Sequence, residues 1–179
     1  MHQASIVVPS GLANYAQRVG FQKVIEMNWW NEKALDDILV TSVPAQHSGT
    51  RMLFDRGKSL ACGYVLQSKN GSVYFAGDTG YGDFLKEIGS KFPLDVALLP
   101  IGSYKPYEWF KDIHLNPQSA VQGFLDVRAR NLVPIHWGTF KISDEPMSEP
   151  PILIMNEAVK CGVQDRVHIL RNGGRFSLE

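Results

Sequence analysis

Two apolar segments, SLACGYVLQS at 59–68 and SVYFAG at 72–77, are separated by Lys69-Asn70-Gly71. Asparagine and glycine both tolerate the positive φ of a tight turn, so Asn-Gly between apolar alternations marks an antiparallel hairpin. The rest of the sheet cannot be antiparallel throughout. A helical pattern at about 82–90 leads into DVALLP at 95–100, and another at about 117–129 leads into NLVPIHW at 131–137. A helix between two strands brings those strands together in parallel. Hairpin and crossovers in one chain predict an α/β domain with a mixed sheet and flanking helices.

The remaining segments fit that plan. Residues 5–8, 23–27 (KVIEM) and 37–43 read as strands, 10–18 and 152–160 as helices, and RVHILR at 166–171 as a last strand. Asn116-Pro117 is an N-cap followed by proline at the first helical position. Ala120, Val121, Phe124, Leu125 and Val127 then supply one apolar stripe. The 179 residues suit one domain, 1–179, and 44% apolar with 20% charged residues is the composition of a globular protein. Lys+Arg and Asp+Glu both number 18, which argues against a nucleic-acid surface or a polybasic membrane patch. Cys62 and Cys161 form no CxxC pair and read as small buried thiols in a reducing compartment. With no membrane-length apolar run and no leader layout, the expected location is cytoplasmic.

Three strands end in a residue able to bind metal. Residues 37–43 run into Gln46-His47, 73–76 into Gly77-Asp78, and 132–135 into His136-Trp137. Sites in open α/β sheets gather beyond the carboxyl ends of strands. Imidazole and carboxylate suit zinc and related divalent ions. Each residue alone has a plainer reading: His47 as a strand terminator, Asp78 as a turn or helix cap, His136 as a histidine packed beside Trp137. Together, at matching strand ends, they favour a metal site. His114 lies on a loop just before the Asn116 cap, free to reach that site or simply to pack on the surface. Tyr104, Tyr107, Trp109 and Phe110 precede it, as either core cover or a pocket wall. His2 and His168 read as structural or surface residues.

Seven stretches carry a family likeness: VIEMNWWNE, VPAQHSGTR, FAGDTGY, LLPIGSY, HLNPQSAV, IHWGTF and EPP. With them the chain resembles the metallo-β-lactamase superfamily. It is most similar there to hydrolases of N-acyl-phosphatidylethanolamine, of phospholipase D type, and their bacterial relatives. The resemblance implies an αββα sandwich, two zinc ions, and hydrolysis of a small-molecule or lipid phosphodiester by a metal-activated water. It places His47 and His136 each on one metal, Asp78 bridging both, and His114 beside the reaction centre, where it orients substrate or protonates the leaving group. A substrate presented at a membrane surface fits the same likeness. The family's His-x-His-x-Asp-His motif is absent. By the resemblance, the chain is therefore the C-terminal part of the sandwich, its N-terminal portion missing. Two protein ligands per metal then fall short of the three usual in catalytic zinc sites.

Two other classes remain open on sequence. An incomplete half-domain without independent activity would need a missing segment or a dimer partner. A single Asp78-Thr79-Gly80 also matches half of an aspartic-protease dyad, which would require a homodimer.

Overall fold

The computed structural model describes residues 2–48 and 59–178, with the backbone only for His2 and Gln3. Gly49, Thr50 and Arg51 of the VPAQHSGTR stretch lie outside the described residues, as does the His2 side chain. Strand β1 (His2–Pro9), helix α1 (Ala13–Arg18) and strand β2 (Phe21–Met27) open the fold, and the two strands pair in parallel across α1. A six-stranded sheet follows, in the order β3 (Glu32–Leu35), β4 (Ile38–Pro44), β5 (Cys62–Ser68), β6 (Gly71–Phe75), β7 (Val96–Pro100), β8 (Asn131–Ile135). The first four strands pair antiparallel, with Ser68 opposite Gly71 at the expected hairpin. β6, β7 and β8 pair in parallel through α2 (Phe84–Lys91) and α4 (Pro117–Asp126). The mixed sheet is thus observed, with the change of pairing at β6.

Helix α4 packs on β7, with α2 and α5 (Glu149–Lys160) against it. Leu85, Ile88, Leu99, Val121, Phe124 and Ile154 are fully buried in the resulting core. Apolar positions on one stripe of each helix meet the near-continuous apolar run of a parallel strand, the usual partition of such layers.

Three expectations need correction. The segment 166–171 is not a full strand. Gln164–Arg166 is a 3₁₀ turn, and only Val167 bridges β8, at Leu132. The Leu132 carbonyl accepts from His168 N–H at 2.8 Å, so Leu132 faces the outer edge of β8. Pro134, two residues on, faces the same edge and has no N–H to give. A longer ladder would meet a missing donor there. The cysteines are not buried: Cys62 is partly exposed and Cys161 exposed. Strand β3 and the short helix α3 (Tyr107–Phe110) were not expected, because EKAL has no apolar alternation and YEWF is too short for a stripe.

Candidate metal centre

The parallel strands set the site, because β4, β6 and β8 deliver their ends to one side of the sheet. Past β4, Gln46 binds two other segments at once. Its N–H donates to Thr79 Oγ1 (2.9 Å), its carbonyl accepts from Gly80 N–H (2.8 Å), and its Nε2 donates to the Asp112 carbonyl (2.8 Å). The loops carrying His47, Asp78 and His114 are therefore tied through one residue. Gly80 is required for this closeness: a Cβ there would run into the Asp112 backbone. Asp78 does not cap the next helix; Asp83 holds the N-cap position of α2.

His136 follows β8 with φ +58, a left-handed conformation that β8 could not continue through. Its Nε2 lies 3.3 Å from Asp78 Oδ1. The His114 ring stacks on His136 with centroids 5.5 Å apart and meets His47 edge-on at 5.1 Å. Phe110 closes the other edge of His114 at 5.7 Å. The structure thus brings His47, His114, His136 and Asp78 into one contiguous cluster.

Helix α4 fixes the position of His114. Ser119 N–H donates to Asn116 Oδ1 (2.8 Å) and Asn116 N–H donates to Ser119 Oγ (2.9 Å), a reciprocal cap two residues after His114. Asn116→Ala is expected to cost about 1 kcal/mol of stability, read as a shift in the urea midpoint. Burial, then the neighbouring His47 and His136, depress the basicity of His114 to a pKa of about 4, against the opposing pull of Asp78 and Glu145. At neutral pH His114 is an uncharged imidazole.

The donor chemistry suits a divalent ion. His47 Nδ1 sits 3.0 Å from the Ser48 carbonyl, so an N–H there leaves the Nε2 lone pair free. Two donors each about 2.0–2.1 Å from one tetrahedral ion lie roughly 3.3–3.4 Å apart, the separation observed between His136 Nε2 and Asp78 Oδ1. His114 Nδ1 and His136 Nδ1 are buried without a protein partner. Among the described residues, no group of three or more His, Cys, Asp or Glu side chains is assembled to hold an ion.

A cleft of about 240 Å³ opens beside His136, walled by Gly102, Ser103, Trp137, Phe140 and Glu145. Phe140 and Ile142, on its rim, are largely exposed. The aromatic segment divides: Tyr104 is buried with its hydroxyl donating to Glu149 Oε1 (2.6 Å), while Tyr107 and Trp109 face solvent. His168 is away from the cluster, bonded to Asn131 and packed on Phe176.

Sequence reasoning missed Gln46, Gly102 and Glu145. Gln46 and Gly102 had a signal, adjoining His47 and ending a buried strand; Glu145 had none. Its buried carboxylate accepts from Ser103 N–H (2.6 Å), Ser143 Oγ (2.7 Å) and Lys105 N–H (3.1 Å). Burial opposes the charge, but these hydrogen bonds outweigh it and hold Glu145 below its ordinary pKa. A carboxyl depressed on folding adds stability above its unfolded pKa and loses it as pH falls through the folded value. The stability gap between wild type and Glu145→Gln is therefore expected to shrink below about pH 4.5, measured by thermal melts from pH 7 to 3.

The sequence matches the beta-lactamase superfamily domain over residues 3–137. It is 36% identical over 171 residues to the mitochondrial N-acyl-phosphatidylethanolamine-hydrolyzing phospholipase D of Saccharomyces cerevisiae, covering 90% of this chain and 36% of that protein. The chain spans about two fifths of the length of its mycobacterial, yeast and Caenorhabditis elegans relatives. Among solved structures, a metallo hydrolase from Ignicoccus hospitalis superposes with TM-score 0.74 at 23% identity, over 98% of this chain and 70% of that one. The diiron beta-hydroxylase CmlA of Streptomyces venezuelae superposes with TM-score 0.69 at 18% identity, over 94% of this chain and 39% of that one. At these identities the two structures speak to the fold alone.

Proposed function

Because the chain belongs to the beta-lactamase superfamily, we propose that it carries part of a two-metal hydrolase site acting on a phosphodiester. The observation carrying this reading is the 3.3 Å approach of His136 Nε2 to Asp78 Oδ1, inside a cluster with His47 and His114. His47, Asp78 and His136 are the residues that would hold zinc. When bound, the metal supplies Lewis acidity and a nucleophile at neutral pH. Asp78 contributes the formal negative charge of the set, which would offset the charge of a bound metal. His114, uncharged at neutral pH, serves better as a hydrogen-bonding group that orients substrate than as a stored proton. The exposed Phe140 and Ile142 give the cleft an apolar rim, which suits a lipid diester presented at a membrane surface.

The phosphodiester preference draws its support from the yeast relative, and the zinc assignment from the donor types. The same fold carries a diiron centre in CmlA, so iron is the competing metal. The aspartic-protease reading has no support from the superfamily. An incomplete site is favoured by a specific observation, the shortage of assembled donors among the described residues. The remaining ligands would then come from a further segment or a partner chain.

Zinc and iron titrations of the chain, followed by assay with bis(4-nitrophenyl) phosphate, test these readings. Weak zinc binding with slow, chelator-sensitive cleavage is expected. Weak binding with no cleavage would favour the incomplete site. Tight binding of two ions would show that donors were undercounted. Cleavage surviving exhaustive chelation would overturn the metal reading.

A further inference from the structure

Two left-handed residues sit back to back beside the cleft. His136 has φ +58 and Ser103 has φ +63. Neither is glycine, so each conformation is strained and persists only where neighbours enforce it. Between them lies Gly102, whose missing Cβ makes room for the His136 carbonyl; a methyl there would collide with that oxygen. Ile101 N–H also donates to the Ile135 carbonyl at 3.0 Å, so the 101–103 turn and the 135–136 turn abut residue by residue.

Ser103 is enforced from the far side. Glu145 is only 5% exposed, and its carboxylate accepts from both Ser103 N–H and Lys105 N–H. Asp144 N–H donates back to the Lys105 carbonyl at 3.2 Å. Glu149 Oε1, in the first turn of α5, takes the Tyr104 hydroxyl and the Lys105 ammonium at 2.7 Å. Every residue of the 103–105 turn is therefore held by the 144–149 segment. A buried carboxylate is a costly way to hold a turn unless its hydrogen bonds are satisfied, and here three donors satisfy it.

We propose that Glu145 is a positioning residue for His136: it locks the Ser103–Lys105 turn, which through Gly102 fixes the left-handed backbone that aims His136 at Asp78. The proposal rests on the reading of His136 as a metal-binding residue. Glu145 touches neither metal nor substrate in this scheme. It acts through two backbone contacts. The same carboxylate forms one wall of the cleft, so the pocket and the histidine are set by a single anchor.

The test uses imidazole proton–carbon NMR spectra of the metal-free 179-residue chain, with His168 as internal control. Glu145→Ala is expected to shift or broaden the His136 resonance and leave that of His168 in place. Gly102→Ala, which pushes directly on the His136 carbonyl, should shift the same resonance. The double variant should move it no further than the larger single effect, because both act through one path. Zinc affinity should fall roughly tenfold in Glu145→Ala, the low end for supporting residues. Glu145→Gln, which keeps one acceptor oxygen for Ser103 N–H, should recover most of it. An unmoved His136 resonance in folded Glu145→Ala, or strictly additive shifts in the double variant, would overturn the proposal. Should Glu145→Ala not fold, Glu145→Gln decides: a smaller His136 shift supports the role, and none refutes it. Failure of the wild-type chain to bind zinc at all would instead count against the metal reading, with the NMR result standing independently.

Discussion

Asp78→Asn is expected to lower the affinity of the chain for zinc by at least about 100-fold, the upper end of what even supporting residues cost. The substitution keeps the shape of the side chain and removes its charge. On the proposed reading, the other candidate donors, His47 and His136, would bind a metal as neutral imidazoles, so Asp78 would supply the formal charge that offsets the ion. The side chain is about half exposed, so its removal leaves no buried void, and the fold should survive. Equilibrium dialysis with zinc, followed by metal analysis, measures the effect. The melting temperature of the metal-free chain should change little. An Asp78→Asn chain that binds zinc like wild type would show that the carboxylate merely neighbours His136.

Much of the fold was legible because its signals are local. The Asn70-Gly71 turn fixes the register of β5 with β6, and that register puts Asp78 just beyond a strand end. The Asn116-Pro117 cap predicts where α4 starts, and so where His114 must sit. The elements that escaped are those whose identity comes from a neighbour. β3 is a strand because β4 offers it a partner from Glu32 to Leu35, not because EKAL alternates. The segment at 166–171 has good strand composition but meets Pro134 on the edge it would need. Composition describes the segment; the missing donor belongs to β8, more than thirty residues earlier in the chain, and no short window along the chain contains both.

The site divides the same way. His47, Asp78 and His136 were visible because each closes an apolar run. Their convergence follows from strand order, in which β4, β6 and β8 share a sheet. Glu145 was invisible because it lies in an irregular segment and acts on backbone amides, which carry no sequence mark. Gln46 is an intermediate case. It stands beside His47, yet its role depends on Thr79, Gly80 and Asp112 arriving within hydrogen-bond reach. Residues that close an apolar run can be read from sequence more readily than residues that hold other loops in place.

His114→Ala should behave in the opposite way to Asp78→Asn. His114 stands between His47 and His136 in the ring stack, but its low basicity and its place before α4 suit a group that meets substrate. Zinc affinity of the His114→Ala chain is therefore expected to stay within about threefold of wild type, well inside the tenfold that marks a supporting residue. Where the full ligand set is assembled and cleavage of bis(4-nitrophenyl) phosphate is measurable, kcat should fall about 10²–10³-fold, the usual cost of one oriented hydrogen-bonding group at a reaction centre. The fall should appear at unchanged metal content, which separates loss of an oriented contact from loss of the metal. Part of the drop should return in His114→Gln, which restores an N–H near the same place. A His114→Ala protein that loses one equivalent of metal would make His114 a ligand, and the assignment of three strand-end donors with one substrate-facing histidine would have to be redrawn.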